Sequence, residues 1–186
     1  MRVFIAIELE EEVKEKLAEI QSKVKVTAEK GRFTAVSNFH LTLYFIGEAD
    51  SERIGQISKA IDKCAEHNVP FKLSLGKLGS FNKRSKRIIW VGIDGDIRQL
   101  EKVNEQISAE LNEEEHTAEK GEYTPHITLG RQIVFSQDFE EWSQSQPVPP
   151  VEIEIDKISL MESTRMNGEL IYRPIYVKPV RKDITE

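Results

Sequence analysis

The stretch NFHLTLYFIG sets His40 two residues before Thr42, and the stretch TPHITLGR sets His126 two residues before Thr128, in a chain with only four histidines. Imidazoles titrate near neutral pH, so two of them facing one groove suit a reaction that takes a proton on one side and returns one on the other. A threonine hydroxyl beside each ring can donate a hydrogen bond to an oxygen held between them. In-line displacement at phosphorus uses that set: one histidine activates water, the other protonates the departing oxygen, and the hydroxyls carry charge on the remaining oxygens. Arg131, three positions after Thr128, adds a positive charge at the end of its segment.

Residues two apart on a strand share a face, so His40 and Thr42 point one way while Leu41 and Leu43 point the other, and the same alternation holds around His126. Each motif reads as a strand with an apolar back and a reactive front. Before the first lies VFIAIEL, an alternating strand, then Val13, Leu17, Ile20 and Val24 on one helical stripe, with Gly31 ending that region. The first motif strand runs to about Ile46. A second helix carries Ile54, Ile57, Ile61 and Ala65, and FKLSLGKLGSF is a strand. The turn NKRSKR leads into the strand IIWVGID. A third helix with Ile97, Leu100, Val103, Ile107 and Leu111 closes on the acidic run NEEEH. The second motif strand follows, with its start or a free edge expected at Pro125, which has no ladder donor. A short helix holds Phe139 and Trp142, a proline loop follows, and VEIEIDKISLM and LIYRPIYV are the last two strands.

This order repeats. Phe4 precedes His40 by the same interval as Trp90 precedes His126, and FKLSLGKL matches VEIEIDKI at every apolar position, with Lys77 opposite Lys157. An internal duplication predicts two similar α/β lobes about an approximate twofold axis, each giving one motif strand to a shared groove.

Other readings carry less. A lone histidine on a strand is commonly a satisfied structural residue, but the pattern here occurs twice on matching elements. Zinc needs three or four ligands, and the motifs offer two histidines with no third at a suggestive spacing. Cys64 lies near an apolar stripe and reads as packing; no nucleophile signature accompanies it. His67 and His116 read as solvated. Phe4, Trp90 and Tyr123 read as core aromatics, any one of which could stack on a base at the groove's edge. The cluster Lys83, Arg84, Lys86 and Arg87 reads as a solvated hairpin tip, or as a phosphate contact if the groove holds RNA.

The chain has 186 residues, 39% hydrophobic and 31% charged, with one cysteine and no apolar run of membrane-spanning length. That fits one bilobal domain over residues 1–186, with no signal peptide at MRVFIAIELEE, in the cytoplasm and as a monomer. A net charge of −6 argues against coating long nucleic acid, so any RNA would be held by an end in a local pocket.

Together RVFIAIEL, NFHLTLYFIGE, IIWVGI, PHITLGR and LIYRPIYV resemble the 2H phosphoesterase superfamily, and within it the RNA 2′,3′-cyclic phosphodiesterases, also known as 2′-5′ RNA ligases. The resemblance covers essentially the whole chain. It implies an α+β fold of two mainly antiparallel sheets forming a central groove with helices outside, no metal and no cofactor. It implies hydrolysis of a terminal 2′,3′-cyclic phosphate on RNA or a nucleotide to a 2′-phosphate, a part in RNA processing such as that of tRNA, and a related joining of RNA halves through a 2′-5′ bond. Carried over by position, His40 and His126 form the acid–base pair, Thr42 and Thr128 hold the phosphate, and Arg131 matches a basic position. Spacing does not say which histidine is the acid; the family's usual assignment gives water activation to His126 and protonation of the 3′ oxygen to His40. Hydrolysis of small cyclic nucleotides, or RNA-end binding without catalysis, stay open as alternatives.

Overall fold

A computed structural model describes residues 1–111 and 123–181. The acidic run NEEEH and His116 lie outside the described residues. The elements in chain order are β1 (Arg2–Glu8), α1 (Glu11–Thr27), β2 (Ala28–Phe33), a short 3-10 turn (Val36–Asn38), β3 (His40–Glu48), α2 (Ser51–Glu66), β4 (Phe71–Lys83) and β5 (Lys86–Gly95). They continue as α3 (Ile97–Glu110), β6 (His126–Phe135), α4 (Phe139–Gln144), β7 (Glu152–Ile155), β8 (Lys157–Met166) and β9 (Glu169–Pro179). Three helices start on an aspartate that accepts from the backbone three residues on: Asp50 from Arg53, Asp96 from Gln99 and Asp138 from Glu141. No described helix is long and apolar enough to cross a membrane.

One sheet runs β3-β1-β8-β9 and the other β2-β6-β5-β4-β7, with every neighbouring pair antiparallel. The expected bilobal α+β architecture, with its groove and outer helices, is present. The duplication is more entangled than two halves folding side by side. In each half the inner strand pairs on one side with its own motif strand: β1 with β3, and β5 with β6. On its other side it takes a strand from the opposite half, β1 receiving β8 and β5 receiving β4. The matched segments FKLSLGKL and VEIEIDKI meet at Leu73 opposite Ile153, so two duplicated positions face each other and mark the axis. At equivalent places both chains bend: β4 slips register between Leu75 and Leu78, and VEIEIDKISLM breaks at Asp156, its first part in one sheet and its second in the other. It was expected as one strand.

The helices cross over as well. The α1 helix packs on β6 and α3 packs on β3, while α2 lies on β8 and β9 and α4 on β4. Val13, Leu17, Ile20 and Val24 of α1 and Leu100, Val103 and Ile107 of α3 are buried, as their stripes predict. They belong to one continuous apolar cluster that includes Leu41 and Leu43 from one motif strand and Ile127 and Leu129 from the other. The two lobes therefore share a single core, and each motif strand rests its apolar back on it.

Two further differences from the sequence reading concern ends. The region around Gly31 is an edge strand, β2, paired only with β6. Gly47 does not end β3; it sits inside it at φ 94°, a conformation suited to glycine, where the pairing with β1 slips.

Candidate active site

The strand β6 begins at His126, directly after Pro125, and β3 begins at His40. Ala6 lies opposite Thr42 and Glu8 opposite His40, while Trp90 lies opposite Thr128 and Gly92 opposite His126. The two motif strands approach each other across the groove. Leu41, Leu43, Ile127 and Leu129 are fully buried behind them, and His40, Thr42, His126 and Thr128 are half-buried in front.

The two imidazoles are held alike. His40 Nδ1 lies 2.8 Å from the Asn38 carbonyl oxygen, and His126 Nδ1 lies 2.6 Å from that of Thr124. A carbonyl only accepts, so Nδ1 carries the proton in both rings and the neutral form keeps its lone pair on Nε2. His40 Nε2 is 2.8 Å from Thr42 Oγ1, whose hydroxyl donates to it while the ring is neutral and accepts from it once the ring is charged.

Aromatic rings frame each imidazole in matching geometry. Tyr172 meets His40 edge-on at 5.2 Å between centroids and 87°, and Phe81 meets His126 at 5.1 Å and 88°. Phe4 lies tilted against His40 at 4.8 Å, and Trp90 against His126 at 5.7 Å. Phe4 and Trp90 were expected in the core. Phe4 is buried, but in a small cluster with Ala6, Met161 and Tyr172 apart from the main core, and Trp90 is only half-buried. Room for the indole comes from Gly79 across the ladder, where a Cβ would stand 2.2 Å from Trp90 Cη2.

Burial is the largest influence on both rings, and it holds each pKa below 6.5 because the charged form loses solvation. The Asn38 and Thr124 carbonyls pull the other way. The Arg131 guanidinium lowers both further, and the charge of His126 also lowers His40. Strict alternation from His126 would point Arg131 away from the groove. Register shifts in β6 between Thr128 and Ile133, with Gln132 in the left-handed region at φ 53°, interrupt that alternation.

Several residues that hold the site gave no motif. The Asn38 side chain donates to the Leu170 carbonyl at 2.8 Å and accepts from the Tyr172 amide at 3.1 Å, fixing β9 and its aromatic ring beside His40. The carbonyls of Leu43 and Leu129 occupy equivalent places in the two motifs. Each accepts from an amide side chain of the other half: Asn104 of α3 donates to Leu43, and Gln21 of α1 donates to Leu129 at 2.9 Å. Gln21 also donates to the Thr34 carbonyl at 2.8 Å. A glutamine beside Leu17 and Val24 on a buried stripe is a legible signal of such a bond. Tyr123 donates from its hydroxyl to the Thr42 carbonyl at 3.0 Å, tying the approach to the second motif to the strand of the first. Burial pushes this phenol well above its ordinary pKa, so it stays a donor.

Next to the imidazoles opens a cavity of about 840 Å³ that includes Asn38, Tyr172 and Arg131 in its wall. The loop read as a solvated tip reaches it through Lys83, Lys86 and Arg87. His67 is a helix-end residue, its Nδ1 2.6 Å from the Lys63 carbonyl, and Cys64 is buried, as expected. Among the described residues no group of three or more His, Cys, Asp or Glu side chains gathers to hold a metal ion.

Two strand-swapped lobes, each with a His-x-Thr strand facing one groove, define a 2H phosphoesterase. The chain belongs to the 2′-5′ RNA ligase superfamily, whose family model matches residues 9–167. It is 30% identical over 177 residues, 95% of its length and 94% of the relative's, to a Thermotoga maritima protein named RNA 2′,3′-cyclic phosphodiesterase. A Methanocaldococcus jannaschii protein of the same name is 33% identical over 132 residues, 70% of this chain and 71% of that one. Among solved structures, TT0787 of Thermus thermophilus shares the fold with a TM-score of 0.77 at 23% identity, covering 98% of this chain and 100% of that one. Escherichia coli LigT complexed with 3′-AMP superposes with a TM-score of 0.71 at 26% identity, covering 97% and 98%.

Proposed function

We propose that this chain hydrolyses the 2′,3′-cyclic phosphate at the end of an RNA to a 2′-phosphate by acid–base catalysis between His126 and His40. The observation that carries the reading is the equivalent setting of the two rings, each with Nδ1 on a carbonyl two residues back, so that Nε2 is the atom left for proton transfer. The names of the relatives agree with it.

In this mechanism His126 Nε2 takes a proton as water attacks phosphorus, the bond from phosphorus to the 3′ oxygen breaks, and protonated His40 gives its proton to that oxygen. Thr42 and Thr128 donate to the oxygens not exchanged, and Arg131 balances their charge. The bound anion favours the charged form of His40, offsetting the burial that otherwise keeps the ring neutral. An RNA 5′-hydroxyl in place of water would give a 2′-5′ junction by the same steps.

The test is incubation with a cyclic-phosphate-ended RNA in EDTA, with phosphorus NMR of the product. A 2′-phosphate formed in many turnovers is expected. Binding without product, a 3′-phosphate, or activity lost in EDTA would each reject the reading.

A further inference from the structure

We infer that Thr42 ties the charging of His40 to the arrival of an anion, because its hydroxyl proton is free for a phosphate oxygen only when the ring itself donates to the hydroxyl. Thr128 and His126 are not tied in this way, so the two motifs differ in what they do despite their matching surroundings. This deepens the proposed function and rests on it.

The tautomer is the first constraint. With Nδ1 donating to the Asn38 carbonyl at 2.8 Å, the neutral His40 ring has only a lone pair at Nε2. Thr42 Oγ1 stands 2.8 Å from that atom and therefore donates to it. A hydroxyl has one proton, so in this state it turns lone pairs toward any oxygen brought between the motif strands, and two acceptors in contact repel. The opposite tautomer would set the Nδ1 lone pair against the Asn38 carbonyl. Turning the hydroxyl to the anion while the ring stays neutral would strip Nε2 of its partner. Protonation of Nε2 removes the conflict: the ring donates to Oγ1, the hydroxyl donates to the anion, and the ring's charge faces the opposite charge. That proton comes from solvent. As negative charge builds on the 3′ oxygen, this oxygen becomes the stronger acceptor and takes it.

His126 lacks the tie. Its Nδ1 is fixed by the Thr124 carbonyl, but among the described residues its Nε2 has no hydrogen bond to Thr128. Thr128 can donate to an anion while this ring stays neutral and able to take a proton. The other charged and titratable groups about His40 do not replace Thr42. Arg131 and His126, both of β6, oppose charge on the ring. Glu8, opposite on β1, has its carboxylate engaged by the Ser159 hydroxyl of β8 at 2.6 Å. Tyr172 of β9 meets the ring edge-on, and Tyr123 gives its hydroxyl to the Thr42 carbonyl.

The experiment follows the ring resonances of both histidines by NMR as pH is varied, with and without sulfate, a dianion that does not itself titrate in this range. In the wild type, saturating sulfate is expected to raise the titration midpoint of His40 by about one pH unit or more, and that of His126 by less. By reciprocity, sulfate affinity falls about tenfold or more as His40 loses its proton. In Thr42→Val, which keeps the shape and removes the hydroxyl, the rise at His40 shrinks to that of His126 or below. Thr42→Ser restores it, and Thr128→Val leaves it in place. In turnover of a cyclic-phosphate-ended RNA, Thr42→Val moves the alkaline limb of kcat to lower pH, whereas Thr128→Val lowers kcat without moving that limb. A rise at His40 no larger than at His126 in the wild type overturns the inference without recourse to any variant, and so does an undiminished rise in Thr42→Val. A sulfate-linked rise confined to His40 and dependent on Thr42, in a protein that does not turn over the RNA, would reject the proposed reaction and leave this linkage standing.

Discussion

At the residue scale the site rests on two imidazoles whose Nδ1 protons are fixed by backbone carbonyls. In the proposed reaction, removing either ring takes away one proton transfer and its contacts with two aromatic rings, and leaves the apolar core behind the motif strands in place. His40→Ala and His126→Ala are expected to lower kcat by about 10²–10⁴-fold, the usual scale of general acid–base catalysis. The melting temperature should stay within about 4 °C, since a change of one kcal/mol moves a domain of this size no further. Initial rates and a thermal melt on the same preparation check both. The pH dependence follows from the direction of the shifts. Both free-enzyme pKa values lie below 6.5, so both limbs of the kcat/KM profile are expected below pH 6.5, and the alkaline limb of kcat should lie higher because the bound phosphate supports the charged acid. An alkaline limb of kcat/KM above pH 7.5 would contradict this arrangement. The same shifts bear on stability. The unfolded histidines take up protons before the folded ones do, so the fold loses stability as pH falls from 6.5 through the lowered folded values and is unaffected by these groups above 6.5.

At the scale of elements, each ring is placed by neighbours that a motif does not include. Gly79 lets β4 approach the Trp90 indole, and Gly79→Ala is expected to push the indole and with it the His126 ring out of place. Turnover should fall while substrate affinity changes little, and the tryptophan emission should shift; an unchanged emission spectrum would show that the indole had not moved. Asn38→Ala leaves the Leu170 carbonyl and the Tyr172 amide without their partner, at a cost of about 1–3 kcal/mol of stability measured by urea unfolding. Thr42 and His40 were legible because a strand's alternation is local, and so was Leu41 behind them. Asn38 was not, because its partner Leu170 lies 132 residues away; Gln21 on a buried stripe signals a bond, but not that its acceptor is Leu129, 108 residues away. The β2 strand escaped for another reason: AEKGRF is an edge strand with four of its six residues exposed, so no buried face imposed a period of two on it. The break at Asp156 was hidden because both parts of VEIEIDKISLM keep the strand pattern while facing different sheets. The place of Arg131 in the cavity wall does not follow from strict alternation, which the register shift between Thr128 and Gly130 interrupts.

At the scale of the whole molecule, the repeat read in the sequence resolves into two halves that cannot be pulled apart as lobes. Each sheet contains strands of both: β1 and β3 pair with β8 and β9, and β5 and β6 pair with β4 and β2. Each motif strand is backed by a helix from the other half, α3 behind β3 and α1 behind β6, and the carbonyl of each motif leucine is bonded to that helix. The spacing between the imidazoles is therefore set twice over by elements that cross the axis. A fragment ending in the turn at Arg84 would hold β1 and β3 without β8, β4 without β5, and β2 without β6. It would also expose Leu17, Ile20 and Leu75, which are buried only in the shared core. Burying one such side chain contributes about 1.5–3 kcal/mol, and the net stability of a domain is about 5–15 kcal/mol, so exposing several of them leaves nothing to oppose chain entropy. Fragment 1–84 alone is expected to show no cooperative transition in calorimetry, and neither is fragment 85–186, whereas mixing the two restores a transition and with it phosphodiesterase turnover. A cooperative melt from either fragment by itself would mean that a lobe folds on its own, and the strand exchange would then be a feature of connectivity without consequence for how the two histidines are held.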